Sequence, residues 1–472
     1  MSNKVVLKMP AIEKSVILAA GNGSKLKPYS DTTPKPAIPI GNKPIIRNTV
    51  ESLKSMGISK IYVVTSYLEE QIRSILADIE GITFIRQKKL NGTANALKLA
   101  IKEIEKAEPI DRIMVVYGDV LSANENFEEI IGHVRSERAD AFALVKKLES
   151  ERVGDYLCAK VDNDKITRVL GHPRHGVTHK FMGIYVFNEN IKYYLEKNPG
   201  LMIHVPVGVM SPLESQLEES IALMVDDDLD VSAVEPVDFI VDIDKPWHLL
   251  EANSLYLDYL GRNLKSSKIA PDAKVSEKAE IEGKIVVESG SVIGPYTIIR
   301  GNAWIGKNTK ISNCIIGNNV MIGNNCNIGE YSKIWDLTSI GNSVRVLHSA
   351  EVYGLIMDGV SIMHYSHVWG VVGRYTDIGA AVVCGTLRFD DSIALKKIKG
   401  RQEFPSPYVN SAFLGDFCRT GVNAIIMPGV FVGPYSIVGP GVIQYDDVPP
   451  RTIVLAKQET IKKKWGPEKY GW

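Results

Sequence analysis

Leu18–Ile40 reads LAAGNGSKLKPYSDTTPKPAIPI, and the apolar run SVILAA (Ser15–Ala20) leads into it. A strand-like run thus meets Gly21 and Gly23, then Lys25, and the stretch closes on Lys35 held between Pro34 and Pro36. Glycines let backbone amides approach phosphate oxygens, lysines supply positive charge, and prolines stiffen the chain that carries them. A turn that simply needs positive φ accounts for the same glycines. A dinucleotide fingerprint would need a third glycine where Leu26 stands, and GxxxxGK[ST] is absent.

Outward from this stretch, the first half alternates strand-length runs with helical patterns. KIYVVTS, ITFIRQ, RIMVVYGDV and ADAFALVKKL are compact apolar runs, and IIRNTVESLKSMG carries helical spacing up to Gly57. That alternation predicts a mostly parallel sheet covered on both faces. A helix is expected from Pro246, with Asp244 as its N-cap. Trp247, Leu250, Ser254 and Leu257 share one face of it, so the helix should pack between the two halves, with GRNLKSSK following as linker.

The second half keeps another rhythm. Ile269, Val275, Ile281, Val287, Ile293, Ile299, Ile305 and Ile311 fall six residues apart, and after one five-residue step Ile316, Ile322, Ile328, Ile334, Ile340, Val346 and Val352 resume it. Each unit is one short strand and a turn, three to a coil, with the branched residue inside a triangular core. Leu414, Ile426, Val432 and Val438 return to multiples of that spacing. Between them, Thr386–Asn410 breaks the rhythm and reads as a loop thrown out of a coil. Prisms of this kind have flat faces that associate, so a homo-oligomer, a trimer or dimer of trimers, is expected.

Composition narrows the class further. The 472 residues exceed a typical single domain, 45% of them are apolar, and 55 basic residues balance 55 acidic ones. No general field draws in nucleic acid or an anionic membrane. Five scattered cysteines without a CxxC pair suit reduced, buried thiols in a cytoplasmic protein. Lysines and a glutamate interrupt the first twenty residues, and no apolar run reaches spanning length, so a soluble chain is expected.

LAAGNGSKLKP…TPKPAIPI resembles the signature LAAGxGTRLxP…xPKPxxP of the sugar-1-phosphate nucleotidylyltransferases. NGTANAL is similar to that family's GTA nucleotide loop, VVYGDV to its metal-binding strand end, and GIYVFN and DIDKPWHLLEAN to late elements of its domain. With hexapeptide repeats behind it, the chain resembles the bifunctional members, the archaeal type among them, which also acetylate a hexosamine phosphate. The resemblance implies an α/β Rossmann-like nucleotidyltransferase domain over residues 1–262, a left-handed parallel β-helix over 263–457 and a tail over 458–472. It implies attack by a sugar 1-phosphate on the α-phosphorus of a nucleoside triphosphate, releasing pyrophosphate, with Mg²⁺ held by Asp119 and Asp242. Lys25 would stabilise the leaving pyrophosphate. Ala20, Gly21, Gly23, Lys35, Gln87, Gly92 and Thr93 would bind nucleotide, and Leu157, His172 and Gly183 the sugar.

The departures from the family pattern cluster on the sugar side. The signature arginine is Lys25, which keeps the charge without the fork. The tyrosine–glycine pair reads Tyr156–Leu157, and that leucine would intrude on the sugar. Glu–Lys–Pro reads Gly171–His172–Pro173. Phe181 or Met182 replaces an asparagine, and Leu90 a glutamine of the base loop. In the second half, MHYSHVW offers His364 as general base for acetyl transfer from acetyl-CoA, with Lys396, Lys397 and Lys399 for the donor's phosphates. His367 and Thr386 stand where tyrosine and asparagine are usual. A packed or solvated histidine and a solvated lysine run are the plain alternatives, and a third metal ligand is lacking near His172/His175 and His364/His367. Two functions therefore stay open: nucleotidyl transfer, or a non-catalytic homologue that binds nucleotide or sugar phosphate.

Overall fold

The structure, a computed structural model, describes residues 12–149, 152–205, 213–403 and 406–466. The first half is built around Lys14–Leu18, buried along its whole length between Lys60–Thr65 and Arg112–Tyr117, both parallel to it. Its alternate side chains serve two cores. Val16 and Leu18 join Leu97 and Ala100 on one face of the sheet, while Ile17 joins Val50, Leu53 and Phe127 on the other.

The sheet is mixed, which corrects the expectation of a mostly parallel one. Ile82–Arg86, Lys60–Thr65, Lys14–Leu18 and Arg112–Tyr117 lie parallel, but His179–Asn188 enters antiparallel between Arg112–Tyr117 and Ala141–Lys147. Leu157–Asp162 and Lys165–Gly171 close the far edge as a hairpin around Asn163 and Asp164, with φ of 51° and 59°. Two left-handed residues match the twist of a tight hairpin, and an apolar run alone does not reveal strand direction.

The second half is a left-handed β-helix. Ile269 pairs with Val287, Val287 with Ile305, Ile305 with Ile322 and Ile322 with Ile340, stacking the branched residues into one core. Ile269 itself is 49% exposed, because no coil lies beneath it. Two later coils shorten: Val346 pairs with Ile362 and Ile362 with Ile378, each sixteen residues on. The shortening comes from Glu351–Ile356 and His367–Val372, which run straight through a corner of the prism at Gly354 (φ 115°) and Gly370 (φ 145°). Leu355, Val371 and Phe413 then face outward against Trp247 and Leu250.

Those last two belong to helix Pro246–Asn263, which packs between the halves as expected. Its N-cap residue is Lys245, not Asp244, whose carboxylate is engaged by lysines in the cleft. The glycine–lysine loop also stands on the prism. The Tyr29 hydroxyl donates to the Val371 carbonyl at 2.9 Å, Thr32 donates to Asp416 at 2.8 Å, and Arg374 donates to both Thr33 and the buried Asp416.

Beyond Cys384 the coil is interrupted as expected, and it resumes at Ala412–Leu414. Inside the loop, Lys397–Ile398 and Arg401–Gln402 form a small antiparallel hairpin. Among the described residues, all five cysteines are free and buried, and no helix is long and apolar enough to cross a membrane.

Candidate active site

A cavity of about 620 Å³ opens at the carboxyl end of Lys14–Leu18, where open α/β sheets place ligands. Ala20, Gly21, Gly23, Lys25, Lys35, Gln87, Gly92, Thr93, Asp119 and His172 all line it, so most of the expected nucleotide and catalytic residues come together. Gly23 has φ 62°, and a Cβ on Gly21 would meet open space. Gly92 has φ 100° and lies against the backbone of Ser215, where no side chain fits. Thr93 opens helix Thr93–Ile104, and its hydroxyl accepts from Leu217 N at 2.8 Å. Gln87 is buried and its amide donates to the Gly92 carbonyl at 3.3 Å, which braces the loop from behind.

The carboxylates converge because two strands cross. Val120–Ser122 pairs antiparallel with Ile240–Asp242, setting Asp242 opposite Val120, and Ile243 N donates to the Asp119 carbonyl at 3.1 Å. Lys35 Nζ lies 2.6 Å from Asp119 and 3.6 Å from Asp244, and Lys25 Nζ lies 3.0 Å from Asp244. Burial works against the charge of Lys35, but Asp119, Asp244 and Asp242 outweigh it and hold its ammonium well above the ordinary range. Burial likewise opposes ionisation of Asp244, yet Lys35, Lys25 and Lys245 hold it below the usual carboxylate range. Asp242 is exposed and, unlike Asp119 and Asp244, is not among the residues that line the cavity. Its packed surroundings, then Asp119 and Asp244, push its carboxyl up to about 7 against the pull of Lys35.

His248, one turn into the helix, takes a bond from Asp244 N at 3.2 Å. Burial and then Lys245 push its pKa down from 6.5 to about 3. The unfolded chain therefore takes up a proton that the folded chain refuses, and the stability this histidine contributes above pH 6.5 is lost as pH falls towards about 3. We expect the urea midpoint to decline across that window, by at most about 1.4 kcal/mol per pH unit from this group. His248→Asn should flatten the decline; an unchanged slope in the variant would remove the assignment.

The sugar-side residues are dispersed. His172 lines the cavity, whereas Leu157 and Phe181 pack on the hydrophobic core and leave the cleft open. Gly183, with φ 72°, rests on the Tyr117 ring at a bulge of strand His179–Asn188. The three loop lysines also part. Lys396 pairs with Asp447 at 2.6 Å over the Phe431 ring, Lys397 is exposed on the hairpin, and Lys399 lines the cavity beside Lys25. His364 stands on a distant prism edge, 2.6 Å from the Nδ1 of His348, whose Nε2 lies 2.5 Å from Glu330. Sequence reading missed Asp244 and Glu214 as cleft residues. For Asp244 a signal existed, since carboxylates two apart on a strand end share a face.

Known proteins resemble this chain along most of its length. A "Bifunctional protein GlmU" of Methanococcus maripaludis is 32% identical over 95% of this chain and 98% of its own length. The chain belongs to the GlmU family. A further relative, the "Bifunctional sugar-1-phosphate nucleotidylyltransferase/acetyltransferase" of Sulfurisphaera tokodaii, is 29% identical over 92% of this chain and 98% of its own. Residues 14–200 match the nucleotidyl transferase domain family. A "Probable mannose-1-phosphate guanylyltransferase 1" of Oryza sativa subsp. japonica is 27% identical over 56% of this chain and 69% of its own, so that likeness reaches beyond the GlmU family.

Proposed function

We propose that the chain transfers a nucleotidyl group from a nucleoside triphosphate to a sugar 1-phosphate, releasing pyrophosphate. The observation that carries this reading is the convergence of Asp119, Asp242 and Asp244 with Lys25 and Lys35 beside the glycine loop. Displacement at phosphorus needs no protein nucleophile, only alignment of two polyanions and dispersal of charge. Gly21 and Gly23 admit backbone amides to the phosphates, and Lys25 faces the charge that develops on the leaving pyrophosphate.

Among the described residues no group of three His, Cys, Asp or Glu is spaced to hold a metal. Mg²⁺ nevertheless fits, because it is usually bound through one or two carboxylates and completed by substrate phosphates. Asp119 and Asp242 would hold it. When bound, it would offset negative charge on the substrate phosphates. The relatives named as transferases do not favour a purely non-catalytic sensor.

Acetyl transfer in the β-helix is a second reading, favoured by one feature: Glu330 orients His348, which in turn orients His364 on an exposed edge. A histidine so aligned suits a general base on an amine, with acetyl-CoA as donor. Self-association is part of the same reading. Val383, Ile425 and Ile443 stand in register on one prism face, two of them exposed. Five buried thiols suit the cytoplasm.

The test is isotope exchange between labelled pyrophosphate and a panel of nucleotide sugars, with Mg²⁺ present. Exchange into at least one triphosphate is expected. None from the folded wild-type protein with any member would end the transfer reading, and release of CoA thiol with hexosamine phosphates tests the second one separately.

A further inference from the structure

The sugar side of the cleft lacks a cation where the family's lysine stands, since His172 occupies that position. Burial, then Arg401 and Lys25, push the His172 pKa down from 6.5, so at neutral pH it carries little charge. Lys25 and Lys35 are already paired with Asp244 and Asp119. A phosphate dianion entering there needs positive charge from another source.

The β-helix loop brings one. Ile398 pairs with Arg401, leaving Lys399 and Gly400 as a two-residue turn with φ of 50° and 80°. Glycine, asparagine or aspartate is usual at such positions, and a lysine there is held at a conformational cost. The hairpin is fastened to the first half on two sides. Arg401 donates to the Gly154 carbonyl at 3.1 Å and pairs with Asp155, while Glu403 pairs with Lys245 at 2.7 Å, both side chains nearly buried. The Gly154 carbonyl also contacts His172 Nδ1 at 3.2 Å, so one backbone group links the hairpin to the residue that lost its charge. At the tip, Lys399 lines the cavity with Lys25 and His172 and forms no ion pair among the described residues.

We propose that Lys399, carried by the β-helix into the nucleotidyl cleft, binds the phosphate of the sugar 1-phosphate acceptor. This rests on the transfer reading above. It moves Lys399 from an acetyl-donor role to the first reaction, and it makes the acceptor site a joint product of both halves. The triphosphate carries the same chemical group, so the test must separate the two ligands.

Steady-state kinetics of the full chain, with each substrate varied in turn, does so. Lys399→Met should raise the KM for the sugar 1-phosphate about 10- to 100-fold, the usual loss for a charge-assisted hydrogen bond. The KM for the triphosphate should stay within about 2-fold on the same argument, and Lys399→Arg should recover most of the loss. An unchanged acceptor KM, or an equal rise for the triphosphate, overturns the proposal. Should the wild-type protein turn over no substrate pair, the transfer reading fails by itself. Calorimetry with glucose 1-phosphate then decides the subsite: wild-type binding weakened at least about 10-fold by Lys399→Met supports it, and equal or absent binding refutes it.

Discussion

Lys35→Met should reduce transfer by about 100- to 1000-fold, the range for losing one preorganised charge at a reacting phosphate. The same change should destabilise the fold. Lys35 has a side chain only 10% exposed and is the nearest counter-charge to Asp119 while also facing Asp244 and Asp242. Without it, Asp119 loses its ion-pair partner, and Asp244 keeps only the half-exposed Lys25 and the field of Lys245. Removing one partner of a buried ion pair commonly costs about 3–5 kcal/mol. The two effects can be told apart with the metal. Mg²⁺ replaces part of the missing charge, so its addition should raise the Tm of Lys35→Met more than that of the wild type, while transfer stays low. A variant with normal kcat would mean that the lysine does not serve the reaction, and one whose Tm ignores Mg²⁺ that it does not balance the carboxylates.

Gly370→Ala is expected to cost about 3–5 kcal/mol, combining backbone strain with overpacking. At φ 145° a side chain is disfavoured, and a Cβ there would be driven into the Ala412 carbonyl of the next coil. Gly354 below it is in the same position: a Cβ there would be driven into the Gly370 carbonyl and come within 3.0 Å of Leu250 of the helix. The strain therefore lands where helix Pro246–Asn263 seats on the prism, a few residues from Asp244. Lower thermal stability and weaker transfer should appear together, although the substituted residue is remote from any phosphate. Retention of wild-type Tm would mean that this corner tolerates a bulk the geometry forbids.

How much of this was legible differs by element. The hexapeptide rhythm was readable because each inward residue is branched and each turn is small, and one physical constraint repeats at every coil. The two shortened coils were not readable as such. They come from two strands that run on through Gly354 and Gly370, and no local pattern in Glu351–Val372 announces the distant Leu250 they meet. In the cleft, the glycine–lysine loop was legible from its residues, whereas Asp119 and Asp242 came with the family resemblance of their segments. The pairing of Asp244 with Lys25 was hidden, because an aspartate just before a proline-led helix satisfies capping rules equally well. Lys399 was the least accessible: a lysine run reads as solvated or as an anion site on its own domain, and only the folded hairpin shows which cleft it reaches.

The corner formed by Gly354 and Gly370 divides the solenoid into unequal regions. From Ile269 towards this corner, coils repeat a nearly constant length, and Asn302, Leu337 and Ser339 bond them to the helix. Beyond it, the register is locked to the helix and to the hairpin of Lys399. A turn inserted on either side would shift the seat of the helix or the hairpin relative to the cleft.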